Sequence, residues 1–90
     1  MNNQRRAKLR KAIKKLNAIK DDIDQVSDLI DEVKMDEETM FDNLPDWKQT
    51  SDHGLASEDA ARDMAEAIDQ LSFSTTDIEE AIGNLQAVTE

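Results

Sequence analysis

The stretch that decides the fold separates two heptad-patterned segments and reads Leu44-Pro45-Asp46-Trp47-Lys48-Gln49-Thr50-Ser51-Asp52-His53-Gly54-Leu55-Ala56. Proline has no backbone N–H and disfavours helical geometry in the residue before it, so a helix entering this stretch ends at or before Leu44. Helix-to-helix connections commonly run about 2 to 8 residues. This longer stretch is sufficient to reverse the chain, and we predict a loop over residues 44–56.

The segment before the loop has the pattern of one long helix, with no Gly or Pro between residues 3 and 43. Its apolar residues fall into two heptad rows, and only Glu37 interrupts the first. The first row is Leu9, Leu16, Ile23, Ile30 and Leu44, and the second is Ala12, Ile19, Val26, Val33 and Met40. The pattern predicts a helix over about residues 4–43, roughly 60 Å long at about 1.5 Å per residue.

The segment after the loop repeats the heptad pattern. One row holds Ala61, Ile68, Ile82 and, as a weaker member, Thr75, and the other holds Met64, Leu71, Ile78 and Leu85. Ser57 precedes two acids, which is typical of a helix N-cap. We therefore predict a second helix over about residues 57–88, with a kink or fraying in the Ser/Thr-rich residues 72–76 and a weakened end near Gly83.

The two segments match each other in antiparallel order. When residues whose numbers sum to about 101 are paired, apolar positions meet along both segments, as in Leu16 with Leu85 and Ile30 with Leu71. The predicted fold is therefore all-α, an antiparallel two-helix hairpin of the coiled-coil type, forming a single domain over residues 1–90.

The charges are divided sharply along the chain. The 90 residues carry 11 Lys and Arg against 21 Asp and Glu, a net charge of -10. Residues 1–20 hold eight cations and no acid, and the rest of the chain holds all 21 acids against three cations. In the predicted hairpin the basic stretch faces almost no acid, while the acidic parts of the two helices face each other, which favours association with a second copy.

The hairpin is also predicted to leave apolar surface uncovered. Two helices that share one seam bury little, whereas folding costs about 1.5 kcal/mol of conformational entropy per residue. The apolar residues beside the seam are Ile13, Leu29, Phe41, Leu55, Phe73 and Val88. We expect a C2 homodimer that forms an antiparallel four-helix bundle, with an oligomer interface at Ile13, Leu29, Phe41 and Phe73.

Composition excludes several classes of function. The chain has no Cys and one His, so disulfide frameworks, zinc fingers and the paired Glu-x-x-His sequences of di-iron bundles are absent. His53 has no nucleophile or orienting partner specified around it, and the acids near Asp22 lack the glycine of a calcium loop. We expect no enzyme activity, no metal and no cofactor. Apolar runs too short for a membrane span or secretion signal predict a cytoplasmic protein.

The acids predict a surface that binds another protein. Residues 21–46 hold eleven carboxylates, one per roughly 3.5 Å of helix, and a DNA strand carries one phosphate per about 3.4 Å. Such a surface can occupy a basic nucleic-acid-binding channel, although acidic helices also serve solubility alone. The acids predicted to contact the partner are Asp21, Asp22, Asp24, Asp28, Asp31, Glu32, Asp36, Glu38, Asp63, Glu66 and Asp69.

Two other features allow more than one interpretation. Trp47, the only tryptophan, either packs over the open end of the hairpin or anchors a partner, because tryptophan is enriched in interface hot spots. The basic residues 8–16 form an amphipathic stretch that suits anionic membranes or nucleic acid. Their apolar face belongs to the seam, however, and the acidic remainder repels phosphates, so direct binding to nucleic acid or membrane is disfavoured.

A resemblance to a known group rests on Phe41-Asp42-Asn43-Leu44-Pro45, on Gln49, Ser51, Gly54, Ala60, Met64, Ala67, Ile68, Asp69 and Leu71, and on Ile78-Glu79-Glu80-Ala81-Ile82. On these residues, about half the chain, the protein resembles small acidic helical proteins encoded by bacteriophages and prophages of Gram-positive bacteria. The resemblance implies a phage origin and action in the host cytoplasm. Small phage proteins of this size often bind and block a host protein.

Together these features predict a non-enzymatic phage-type accessory protein. It is expected to bind and inhibit a host nucleic-acid-binding or defence protein through acidic mimicry of nucleic acid. The alternative is a structural or assembly coiled-coil module that binds through its apolar stripe and Trp47, with the acids providing solubility. The identity of the host partner stays open.

Overall fold

A computed structural model describes all residues from 1 to 90 and contains only helices. Helix α1 spans Asn3–Asp42, α2 spans Asp46–Gln49 and α3 spans Asp52–Thr89. The all-α class is therefore confirmed. The chain has three helices rather than two, because a short helix lies where the sequence predicted only loop.

The two ends of helix α1 are set by local hydrogen bonds and by Pro45. The side-chain Oδ1 of Asn2 accepts the backbone N–H of Arg5 at 2.9 Å, the geometry of an N-cap. At the other end Leu44 donates its N–H to the carbonyl of Phe41 at 3.0 Å, which tightens the last turn. Pro45 follows and cannot continue the helix, since it has no N–H to donate.

The predicted loop over residues 44–56 is wrong in its bounds. Pro45 opens α2, and its carbonyl accepts the N–H groups of Lys48 at 2.8 Å and Gln49 at 3.1 Å. Helix α3 then begins at Asp52, because the Oγ of Ser51 accepts the N–H of Gly54 at 3.4 Å and supplies the N-cap. The N-cap predicted at Ser57 is likewise wrong: Ser57 is buried inside α3.

Close packing at the turn explains why α3 starts early. The amide Nε2 of Gln49 donates to the carbonyls of Phe41 at 3.3 Å and Leu44 at 3.1 Å, which ties α2 to the end of α1. Gly54 is buried, and a Cβ placed there would overlap the carbonyl oxygens of Lys48 and Gln49. Only glycine allows the backbone of α2 to approach α3 this closely.

The chain divides into two compact units, residues 1–25 with 71–90 and residues 26–70. In the first unit α1 and α3 run antiparallel, as two contacts between them show. The Arg10 guanidinium donates to the carbonyl of Thr89 at 3.3 Å, and Lys20 Nζ lies 3.6 Å from Glu79 Oε1. Both pairs have numbers that sum to 99, two less than the predicted register. The prediction of a single domain stays a prediction.

In the second unit α1 and α3 also meet in antiparallel order. Residues from both helices line one cleft, namely Glu38, Phe41 and Asp42 of α1 and Ser57, Glu58 and Ala61 of α3. Residues near the C-terminal end of α1 therefore lie beside residues near the N-terminal end of α3, as expected for an antiparallel pair.

Helix α3 turns both of its predicted apolar rows away from solvent. All eight positions are half-buried or better, and Ile82, at 7% exposure, is the only buried apolar residue of the chain. The predicted fraying over residues 72–76 is wrong, since α3 continues unbroken to Thr89. The hydroxyls of Thr75 and Thr76 donate to the carbonyls four residues earlier at 3.1 and 3.2 Å, so these residues are satisfied within the helix.

Helix α1 uses only the first of its two predicted rows. The first row is half-buried, but in the second row Ile19, Val26, Val33 and Met40 are 48%, 46%, 56% and 58% exposed. The half-buried positions lie one residue further along the chain, at Ile13, Lys20, Ser27, Lys34 and Phe41. Placing the second row in the seam was therefore wrong for its four exposed members, although Ala12 is half-buried. Lys20 and Lys34, with side chains 26% and 23% exposed, lie on the covered side instead.

Candidate protein-binding surfaces

The eleven acids predicted to contact a partner are all exposed. Only Asp31 and Glu38 among them form salt bridges, at 4.0 and 2.7 Å from Lys34 Nζ. The hydrogen bond from Lys34 to Glu38 raises the pKa of Lys34, partial desolvation opposes this, and the charges of Glu38 and Asp31 add to the rise. The other nine acids make no salt bridge and present their charge to solvent.

These acids follow helical faces. Asp24, Asp28 and Asp31 are spaced four and three residues apart on α1, and such neighbours share one side of a helix. On α3, Asp63, Glu66 and Asp69 have three-residue spacing, whereas the nearby Asp59 pairs with Arg62 at 2.8 Å. Each helix therefore carries its own strip of carboxylates, and only Asp31 among these six forms a salt bridge.

The basic stretch of residues 1–20 is largely unpaired. Only Lys20 of its eight cations forms a salt bridge, with Glu79. The expectation that this stretch meets almost no acid is wrong at that one position, owing to the shifted register. Arg10 donates to the carbonyl of Thr89 at the end of α3, where a cation also complements the helix dipole.

Trp47 is an exposed residue of α2. Its side chain is 70% exposed, and the ring contacts the ammonium of Lys48, which lies 5.2 Å from the ring centroid. The interpretation in which Trp47 closes the end of a hairpin is therefore wrong. An anchor for a partner is the interpretation that its exposure allows.

The four residues predicted to form the oligomer interface occupy two different environments. Leu29 and Phe73 are exposed, as are Leu55 and Val88. Ile13 and Phe41 are half-buried positions of α1 in the seam rather than beside it. The description of these two as spare surface was wrong, because the seam of α1 includes the position four residues after each member of the first row.

Sequence reasoning missed an exposed apolar strip on α1. We call it the α1 apolar row and define it as Ile19, Val26, Val33 and Met40, with Leu29 beside it. Its members lie seven residues apart, and that spacing returns to almost the same side of an α-helix. The heptad pattern did identify these residues but assigned them to the wrong contact.

One cleft lies in the second unit, with a volume of about 130 Å³. Three carboxylates border it, from Glu38, Asp42 and Glu58. No group of three or more His, Cys, Asp or Glu side chains in the chain is placed to hold a metal ion. None of the three helices combines the length and apolar character needed to cross a bilayer.

Comparisons with known protein families, with curated proteins and with solved structures gave no match to this chain.

Proposed function

We propose that this chain is a non-enzymatic protein that binds and inhibits a nucleic-acid-binding or defence protein of the host cell, by presenting its carboxylates to a basic groove. The observation that supports this most is that nine of the eleven predicted acids are exposed and free of salt bridges. A basic groove can bind such groups without first breaking an internal ion pair.

The spacing of acids on α1 suits this role. Residues 21–46 contain eleven acids, a different set from the eleven predicted contacts, which include three acids of α3. Ten of the acids in residues 21–46 lie on α1, and Asp46 belongs to α2. Those ten extend over residues 21–42, about one per 3.3 Å at a rise of about 1.5 Å per residue, close to the charge spacing of a DNA strand. Recognition by such a surface is electrostatic, so binding should be fast and should weaken steeply with salt.

A capture experiment with matched variants tests this proposal. The immobilised chain is exposed to nuclease-treated bacterial lysate at low salt and at about 500 mM salt, where exposed charges more than about 4 Å apart are screened. Captured proteins are then assayed for DNA binding by gel shift, with and without the free chain. We expect a protein that elutes with salt and whose DNA binding is blocked.

Two triple variants with the same net charge make the test specific. Asp63→Asn, Glu66→Gln and Asp69→Asn together neutralise the α3 strip, whereas Asp52→Asn, Asp77→Asn and Glu90→Gln neutralise acids outside the predicted surface. We expect only the first set to lose inhibition. Equal inhibition by both sets, or captured proteins that still bind DNA in the presence of the chain, would contradict the proposal.

The second candidate is a structural or assembly module that binds through apolar surface. The exposure of the α1 apolar row and of Trp47 favours it. Apolar association persists or strengthens as salt rises, whereas charge-driven binding weakens. Trp47→Ala should then abolish partner binding without lowering the melting midpoint, since the ring covers no core.

We also propose that α1 and α3 pair as one antiparallel hairpin and that two copies form a four-helix bundle. The antiparallel contacts within each unit support the hairpin, and the uncovered apolar residues support the bundle. Paired spin labels on α1 and α3 at positions whose numbers sum to about 99 should give short distances throughout. Short distances in only one unit would contradict the hairpin.

A phage or prophage origin is a further proposal, supported by the residues from Phe41 to Pro45 and from Ile78 to Ile82 that resemble the phage-encoded group. A gene lying among phage genes in its source genome would support this origin. A gene within a conserved housekeeping operon would contradict it.

A further inference from the structure

We propose that the second copy of this chain docks on the α1 apolar row, with the two α1 helices antiparallel and the twofold axis at Val26. This inference rests on the dimer proposed above and adds the surface and the direction of pairing. It replaces the predicted interface, of which Ile13 and Phe41 already lie in the seam of the single chain.

The chain exposes more surface in total than a compact monomer of its mass. The chain exposes 6716 Å², whereas a compact monomer of its mass exposes about 5300 Å². A standard interface removes about 800 Å² from each partner. The excess of roughly 1400 Å² is therefore sufficient for one such interface per chain.

An antiparallel pairing about Val26 makes the row complementary to itself. It places Val26 against Val26 of the second copy, Ile19 against Val33 and Met40 against the small Ala12, a half-buried residue that precedes the row at the same seven-residue spacing. Every contact of the row is then apolar on apolar, and the smallest side chain meets the longest. A parallel pairing would instead set Met40 against Met40 and Ala12 against Ala12.

The charges of α1 select the same direction. Residues 1–20 carry eight cations and no acid, while the part of α1 after residue 20 carries ten acids and one lysine. In the register about Val26, residues 10–20 of each copy, with five cations, lie along residues 32–42 of the other, with five acids, while residues 21–31 face the same residues of the second copy. A parallel pairing would bring like charges together along the whole of α1. This provides the counter-charge that the basic stretch lacks within its own chain.

One specific ion pair follows from the register. Lys15 lies between Ala12 and Ile19 along the chain, and Asp36 lies between Val33 and Met40. Both side chains are exposed and neither forms a salt bridge within the chain. The antiparallel register places Lys15 of one copy beside Asp36 of the other, once at each end of the row.

Cysteine cross-linking tests the axis directly, because the natural chain contains no cysteine. Val26→Cys should form a disulfide-linked dimer under mild oxidation. Ile19→Cys and Val33→Cys should each stay uncross-linked alone, since identical positions would be about 20 Å apart along the helices and a disulfide needs Cα atoms within about 7 Å. Mixed together, these two variants should cross-link.

The control is Met35→Cys, an equally exposed position on another side of α1, which should not cross-link. Self-linking of Ile19→Cys would mean a parallel dimer and overturn the proposal. Failure of Val26→Cys while sedimentation still gives a dimer would also overturn it, leaving dimerisation itself intact. A monomer in sedimentation would refute both.

A charge exchange supplies an independent test. Lys15→Glu should weaken the dimer about tenfold, since two exposed ion pairs become repulsive. Adding Asp36→Lys should restore the affinity to within about twofold. Lys14→Glu makes the same charge change on another side of the helix and should weaken the dimer less. Failure of the double variant to recover would overturn the proposed register.

Discussion

Helices α1 and α3 carry the same kind of heptad pattern but use it differently. In α3 both apolar rows are turned from solvent, and Ile82 is buried among them. In α1 one row is half-buried, while Ile19, Val26, Val33 and Met40 stay exposed. The difference shows that a heptad row predicts a contact without saying with which partner. Helix α3 has both rows turned from solvent, and α1 keeps one apolar row uncovered, which we propose as the surface for a second copy.

The largest expected effect comes from truncating Ile82 of α3, and the same truncation at Ile19 of α1 is the comparison. Ile82→Ala should lower the free energy of unfolding by about 2–4 kcal/mol, because it removes the one buried apolar side chain. Ile19→Ala should cost much less at low micromolar concentration, since its side chain is half exposed. Urea titrations followed by circular dichroism measure both values. Equal losses would show that α1 and α3 do not differ in this way.

The two glycines of α3 sharpen the comparison along a single helix. Gly54→Ala should cost about 2 kcal/mol, because the added methyl group overlaps the end of α2. Gly83→Ala should stabilise the chain by up to about 1 kcal/mol, since the position opens to free space and alanine favours helix. Thermal melts of the two variants measure the predicted loss and gain of stability. Stabilisation by Gly54→Ala would contradict the close packing of the turn.

A charge placed within the α1 apolar row should affect association rather than folding. Val33→Asp should weaken the dimer at least tenfold, about 1.4 kcal/mol, while the helix content at low concentration stays unchanged. Met35→Asp adds the same charge at a similarly exposed position outside the row and should weaken the dimer less. Size-exclusion chromatography over a dilution series compares the two. An equal shift for both variants would exclude the row as the interface.

The smallest expected effect concerns the ion pair between Lys34 and Glu38. The raised pKa of Lys34 means that its stabilising contribution is present at neutral pH and is lost as the pH rises through that raised value. Glu38→Gln should therefore lower the melting midpoint slightly at pH 7 and have no effect at strongly alkaline pH. Glu66→Gln, which removes an acid without a salt bridge, should show no such pH dependence.

The parts of the fold that could be predicted depended on local chemistry. Pro45 stops α1 because it lacks an N–H, and the rows of α3 follow from residue spacing alone. The exposure of the acids was also predictable, since unpaired carboxylates are rarely buried. These features need no knowledge of how distant segments pack.

The remaining features depend on packing that the sequence does not display. Ser51 and Ser57 are both followed by an acid, so each has an N-cap signature, and the close approach of α2 at Gly54 decides between them. Lysine was not expected in a seam, yet Lys20 and Lys34 are half-buried while four members of the second row are exposed. Whether Trp47 is covered depends on the turn, which the heptad pattern does not describe.

Sedimentation equilibrium of the unmodified chain tests the central claim most directly, because the proposed docking on the α1 apolar row requires a second copy. The single chain has a mass of 10.2 kDa. At tens of micromolar the account predicts twice that mass. A particle with the mass of one chain across that range would contradict it.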